Sequence, residues 1–220
     1  MDASKVKFFN GKIATWGKQN YRPFPWRKTR NLYRLLVAEI LLQQTDAPKV
    51  VPVYRQLFKR YTTPNELALA RIVELRKIVM PLGLIKRSRL LSQLGRTLAG
   101  SKRNKLTLRT KTGLMQLPGI GDYSGAAAAC FGLGCREAIL DTNIIRLFDR
   151  FFGIRSDKNR PRTDKKLWDF AQSILPQRNF REYNYAMLDF SAKICTFRSP
   201  KCTICPLKKE CIYAGTNGLN

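Results

Sequence analysis

The sequence predicts an all-α protein. Three observations carry that expectation: apolar residues recur about every 3.6 positions, no alternating stretch is long enough for a sheet strand, and helix breakers fall between the periodic runs.

The first helix spans residues 4–18 and stops ahead of Pro23 and Pro25, which open the way to a second over 32–43. A third follows at 47–61. Thr63-Pro64 starts a fourth over 64–70, and a fifth over 72–80 ends at Pro81 and Gly83. The sixth occupies 86–98 and the seventh 111–117, where Pro118-Gly119 interrupts. Residues 122–133 form the eighth, rich in small side chains; the ninth and tenth occupy 143–151 and 163–175, Pro176 closing the latter. The eleventh spans 180–193.

With 220 residues and 44% hydrophobic residues the chain has ample material for one large domain or two lobes, and disorder over most of its length is excluded. The longest nearly uncharged apolar stretches, 35–42 and 125–135, fall short of a bilayer span. The N-terminus lacks the apolar core and cleavage site of a signal peptide, so a soluble, cytoplasmic protein with reduced thiols is expected. Forty-one Lys and Arg against 15 Asp and Glu give a formal charge of +26, which calls for a polyanionic partner, nucleic acid first among them. The absence of His removes imidazole bases and Ser-His-Asp or Cys-His triads, leaving carboxylate, Tyr, Lys, Cys or a cofactor for any chemistry. Between Glu74 and Asp122 stand eleven cationic residues (Arg76, Lys77, Lys86, Arg87, Arg89, Arg96, Lys102, Arg103, Lys105, Arg109, Lys111) and no acid, a run that by itself reads equally as a solvated surface and, joined to the motifs below, as a phosphate-facing side.

Cys195, Cys202, Cys205 and Cys211 form C-x6-C-x2-C-x5-C. Four thiolates on a short segment suit either a 4Fe-4S cluster or zinc; a single close pair, in place of the two knuckles of a zinc ribbon, favours iron and sulfur. Cys130 and Cys135 read as ordinary small apolar or loop residues. Leu117-Pro118-Gly119-Ile120-Gly121 has the form of a tight interhelical turn whose glycines let the backbone approach a phosphate, ahead of a helix that directs free N–H groups at the anion. Asp141, before Thr142-Asn143-Ile144, reads as a helix N-cap. Glu39 interrupts an otherwise apolar helix, so either it is buried with a raised pKa or it pairs with an arginine.

Together these motifs resemble the endonuclease III and MutY-type branch of helix-hairpin-helix DNA glycosylases, from Phe24-Pro25-Trp26-Arg27 to Cys211. The resemblance implies a two-lobed all-α fold, with a six-helix lobe over 25–135 and an iron-sulfur lobe made of 1–24 and 136–220, acting as a monomer on double-stranded DNA with a mismatched or damaged base. It implies a 4Fe-4S cluster on the four cysteines, with Arg198 and Lys201 in a phosphate-holding loop. Asp141 becomes the catalytic carboxylate, with Asn143 beside it in the D-x-N pattern, and Glu39 a contact to the extruded base. Gly119 and Gly121 belong to the hairpin; Gln44, Leu84 and Ile85 are candidates for filling the gap in the duplex and contacting the opposite base, with Gln43 also on the DNA-binding side.

Bifunctional relatives carry a Lys two residues after the second hairpin glycine, where this chain has Tyr123, so a monofunctional enzyme is expected. Phe24-Pro25-Trp26-Arg27, Leu82-Gly83-Leu84 and Leu188-Asp189-Phe190-Ser191-Ala192 look like the thymine-mismatch group, and the G-L-G-Y-Y of MutY-type enzymes is absent. The sequence ends nine residues after Cys211, without the MutY-type 8-oxoguanine reader. Gln43-Gln44, however, is the MutY-type version of a site where Arg-Arg is expected. The reading is hydrolysis of thymine or uracil mispaired with guanine in base excision repair. Adenine excision opposite guanine or 8-oxoguanine is the alternative within the class, and a non-catalytic damage-binding iron-sulfur protein the alternative outside it.

Overall fold

The computed structural model describes residues 2–83, 85–100 and 107–216. Among these the chain is helical, with no strand, and no helix is long and apolar enough to cross a membrane. It divides into two compact units: one is residues Pro23–Cys135, the other combines Met1–Arg22 with Arg136–Asn220.

The unit built from both chain ends contains α1 (Ala3–Asn20), α9 (Thr142–Phe152), α10 (Lys165–Ile174), α11 (Phe180–Lys193) and a short α12 (Ile212–Thr216). Polar caps mark where the helices begin: Asp2 accepts from the Ser4 amide, Asp141 from Ile144 and Asp164 from Lys166. The Asp164 cap starts α10 two residues later than the sequence pattern predicts, because Pro161–Thr163 turn as a separate 3-10 segment. Aromatic rings run through the core. Phe9 of α1 lies 4.9 Å from Phe151, and Phe148 meets Phe170 edge-on at 5.0 Å. α1 and α11 pack so closely that a Cβ on Gly17 would come 2.3 Å from the Ala186 Cβ. Arg22, at the end of this first segment, pairs with the buried Asp189 of α11.

The central unit holds α2 (Leu32–Leu42), α3 (Ala47–Arg60), α4 (Pro64–Leu69), α5 (Ile72–Val79), α6 (Lys86–Gly100), α7 (Lys111–Leu114) and α8 (Asp122–Ala128). α4 opens with a capping box between Thr63 and Glu66. Its approach to α6 is permitted by Gly95, whose Cβ would fall 2.7 Å from the Ala68 amide nitrogen. α7 ends three residues earlier than the sequence pattern predicts: the chain turns at Met115, and Leu117 and Ile120 continue as successive turns toward the hairpin. α8 passes into a π-helical turn, Ala129–Leu133, closed by Gly134 at φ +73. Its alanines 126–129 are buried and pack on α2, whose residues from Leu35 to Leu41 are buried without a break.

Candidate active site

The hairpin turn is set by Gly119, at φ +77, a conformation that side-chain-bearing residues rarely adopt; a Cβ there would also meet Leu90 at 3.0 Å. Gly121 is extended and exposed, open space surrounds the place of its missing Cβ, and no side chain caps α8. The Gln43 side-chain amide donates to the Gly119 carbonyl at 2.9 Å, tying the end of α2 to the hairpin. Gln44, next to it, is exposed and has φ +53. Ile85 is 64% exposed, and Tyr123 is half-buried on the first turn of α8. Leu84, the other gap-filling candidate, lies outside the described residues.

Glu39 is 8% exposed in α2. Its partner is the Ser124 hydroxyl of α8 and not an arginine, and burial pushes its carboxyl up to about 8 despite that hydrogen bond. Glu39 is therefore a neutral acid over most of the physiological range. One turn beyond the hairpin glycines, Ser124 joins the turn to this acid.

In the other unit, Asp141 accepts from the Ile144 amide at 2.7 Å through one oxygen and from the Asn143 side-chain amide at 3.0 Å through the second. Asn143 in turn accepts from Arg146 at 3.0 Å, and Arg146 donates to the carbonyls of Ser191 and, twice, of Cys195. One turn further along α9, Arg150 donates to the Thr196 and Phe197 carbonyls and toward the Cys195 sulfur at 3.6 Å. Asn143, Arg146 and Arg150 thus share one face of α9, while Ile144, Leu147, Phe148 and Phe151 fill the core. Sequence reasoning missed both arginines. The i, i+3, i+7 spacing from Asn143 was the signal that could have found them.

The four cysteines follow α11. Cys195 comes one residue past its C-cap, Cys202 opens a 3-10 turn whose end is Cys205, and Cys211 follows a second such turn. All four line one partly open space, whose other walls include Leu147, Phe151, Phe190, Leu207, Arg150 and Lys201. Burial raises the thiols of Cys202 and Cys211, and that of Cys205 to about 11, and the neighbouring cysteines add to the rise. A bound metal centre would oppose that rise by favouring the thiolates. Four cysteines lining one apolar space beside two cations supply the donor set of an anionic iron-sulfur group. Among the described residues no three Cys, His, Asp or Glu gather about one point as a single metal ion requires. Arg198 and Lys201 are exposed on this loop.

The basic run is only in part a surface. Arg87 is fully buried, its guanidinium bonded to main-chain carbonyls and Thr45, which corrects its reading as a phosphate-facing residue; Lys102, Arg103 and Lys105 lie outside the described residues.

This architecture is shared with a thermostable thymine-DNA glycosylase, whose solved structure superposes with a TM-score of 0.89 at 34% identity over 98% of this chain and 100% of that one. The sequence pattern of the HhH-GPD superfamily base excision DNA repair proteins matches residues 37–173, and the chain belongs to that family. A thymine/uracil-DNA glycosylase of Pyrobaculum aerophilum is 38% identical over 210 residues, covering 93% of this chain and 91% of that protein. An adenine DNA glycosylase of Buchnera aphidicola subsp. Acyrthosiphon pisum is 31% identical over 205 residues, 93% of this chain but 58% of that protein.

Proposed function

We propose that the protein is a monofunctional DNA glycosylase that extrudes thymine or uracil mispaired with guanine and hydrolyses its N-glycosidic bond. The observation that carries the reading is the pair of differently kept carboxyl groups. Glu39 is held neutral by burial, whereas both oxygens of Asp141 accept from N–H donors.

Mispaired bases cost less to extrude than paired ones, which supplies a first layer of selectivity. As the bond to C1′ lengthens, positive charge develops on the sugar; the Asp141 carboxylate stabilises it and orients the attacking water. The pyrimidine leaves as an N1 anion, and a neutral Glu39 donates a hydrogen bond to one of its carbonyl oxygens. Tyr123, in place of a lysine, offers no amine for a Schiff base, so the product is an abasic site in an unbroken strand. Gly119, Gly121, Arg198 and Lys201 hold phosphates, and Gln43, Gln44 and Ile85 meet the gap and the opposite base. Cys195, Cys202, Cys205 and Cys211 would hold a 4Fe-4S cluster, whose contribution is to fold the loop that braces α9. The protein acts as a monomer on duplex DNA.

Gln43-Gln44 favours a second reading, adenine excision, in which Glu39 protonates the purine. Duplexes carrying G:T, G:U, A:G and A:8-oxoguanine, treated with alkali after incubation, separate the two. Cleavage at T and U that is lost in Asp141→Asn is the expected result; cleavage at A alone would transfer the assignment, and a borohydride-trapped covalent complex would remove the monofunctional claim. Tight duplex binding with no excision at all would leave a damage-binding protein.

A further inference from the structure

We propose that Arg87 is a positioning residue, one buried guanidinium that sets both loops with which the central unit enters the duplex. It stands in the first turn of α6 at 0% exposure. Its Nε donates to the Ile40 carbonyl at 3.3 Å and Nη1 to the Leu82 carbonyl at 2.7 Å, while Nη2 serves both the Gln43 carbonyl and the Thr45 hydroxyl. The acceptors named are neutral. Two are carbonyls from the C-terminal end of α2, whose last turn has no basic residue of its own, so the cation meets the negative end of that helix.

The geometry makes the clamp specific. Gln43 and Thr45 are the residues on either side of Gln44, the exposed side chain at φ +53; holding both flanks sustains a backbone conformation that a residue with a Cβ disfavours. Across the guanidinium, the Leu82 carbonyl precedes Gly83 at φ +78, and Ile85 follows, tethered through its own carbonyl to the Ser88 hydroxyl at 2.8 Å. Gln44 and Ile85, far apart in sequence, are thereby set by a single side chain. Gln43 extends the arrangement to the hairpin through Gly119. The inference rests on the reading that Gln44 and Ile85 fill the gap left by the extruded base.

The test uses Arg87→Met, Arg87→Lys and Thr45→Val in the full chain, with 2-aminopurine beside the mispaired thymine as the extrusion signal. Single-turnover excision of uracil is measured from a G:U pair and from a site opposite an abasic gap, where no partner needs replacing. Wild-type excision at G:U tests the functional reading separately, since its absence would sink that reading whatever Arg87 does. A misplaced loop is expected to cost Arg87→Met about tenfold to a hundredfold in rate on paired substrate, with a lower extrusion amplitude and a much smaller loss on the gapped site. Arg87→Lys should recover part of the rate, and Thr45→Val, which deletes one acceptor and no charge, should lose extrusion in the same direction. Because Arg87 touches no phosphate, the slope of log Kd against log salt should be unchanged; a fall of about one would show a phosphate contact and overturn the proposal. Equal losses on paired and gapped substrates would also overturn it, as would, if Arg87→Met does not fold, a Thr45→Val variant with wild-type extrusion.

Discussion

Replacing Glu39 by Gln is expected to stabilise the protein in alkaline solution and to leave its stability in acid unchanged. The carboxyl is 8% exposed and its pKa is lifted from an ordinary 4.5 to about 8, burial being the cause and the Ser124 hydroxyl opposing it. Below the ordinary value both the folded and the unfolded chain hold the proton, and no stability is lost. As the pH rises past it, the unfolded chain releases the proton while the folded one keeps it, and stability falls until the folded pKa is passed. At about 1.4 kcal/mol per pH unit, the loss grows to roughly 3 kcal/mol near neutrality and levels off at roughly 5 kcal/mol above the folded pKa. Gln has nearly the same volume, accepts from Ser124 through its carbonyl and carries no proton to lose. Urea unfolding of wild type and Glu39→Gln, run from about pH 5 to about pH 9, should give curves that converge in acid and diverge by several kcal/mol in base. A difference in stability that does not vary with pH would refute the reasoning, because it would mean that Glu39 does not titrate between those limits. If the carboxyl also serves the extruded base, the variant is more stable and less active, a trade expected where a site keeps an expensive group.

Arg146→Met strands the carbonyls of Cys195 and Ser191, which at about 1 to 3 kcal/mol per buried unsatisfied group should lower the urea midpoint visibly; loss of single-turnover excision should follow in parallel, and with it the visible absorbance that the proposed iron-sulfur group would give. Gly17→Ala places a methyl against Ala186 and should cost about 1 to 3 kcal/mol, read as a Tm lower by roughly 5 °C in calorimetry. Thr63→Ala removes the capping box of α4 and should cost about 1 kcal/mol by urea titration, with duplex binding unaltered.

Most helices could be read from periodicity because each buries one branched or aromatic stripe. The places where that reading slipped have physical reasons. In α8 the run from Gly125 through Ala129 carries no side chain large enough to mark a face, so nothing in the sequence registers the switch to a π-helical turn at Ala129. α7 ends early because backbone turns at Met115 and Leu117 take over before Pro118. Arg87 was grouped with its exposed neighbours on charge alone, although it stands in register with Leu91 and Leu94 on the buried face of α6, while Lys86, Arg89 and Arg96 point outward. Period outranks charge there. Glu39, by contrast, was legible as an anomaly within an apolar helix, and Asp141 as a cap; the bond from Ser124 and the bracing of α9 on the Cys195 carbonyl needed coordinates, since they join residues distant in sequence.

The division of the chain, with the central unit inserted between the two segments of the other, also dictates an order of assembly. On a ribosome the residues from Pro23 to Cys135 emerge as one continuous stretch. α1, made first, must wait, because the Ala186 that meets Gly17, the Tyr183 that bonds Asn10 at 2.5 Å and the Phe151 against Phe9 are all translated more than a hundred residues later. Its apolar stripe stays exposed throughout that interval. The closing of α1 onto α11 spans more than 150 residues and carries a large loop-closure entropy, so it belongs among the late events of folding. A newborn chain therefore owns a finished hairpin before it owns the helix that carries Asp141.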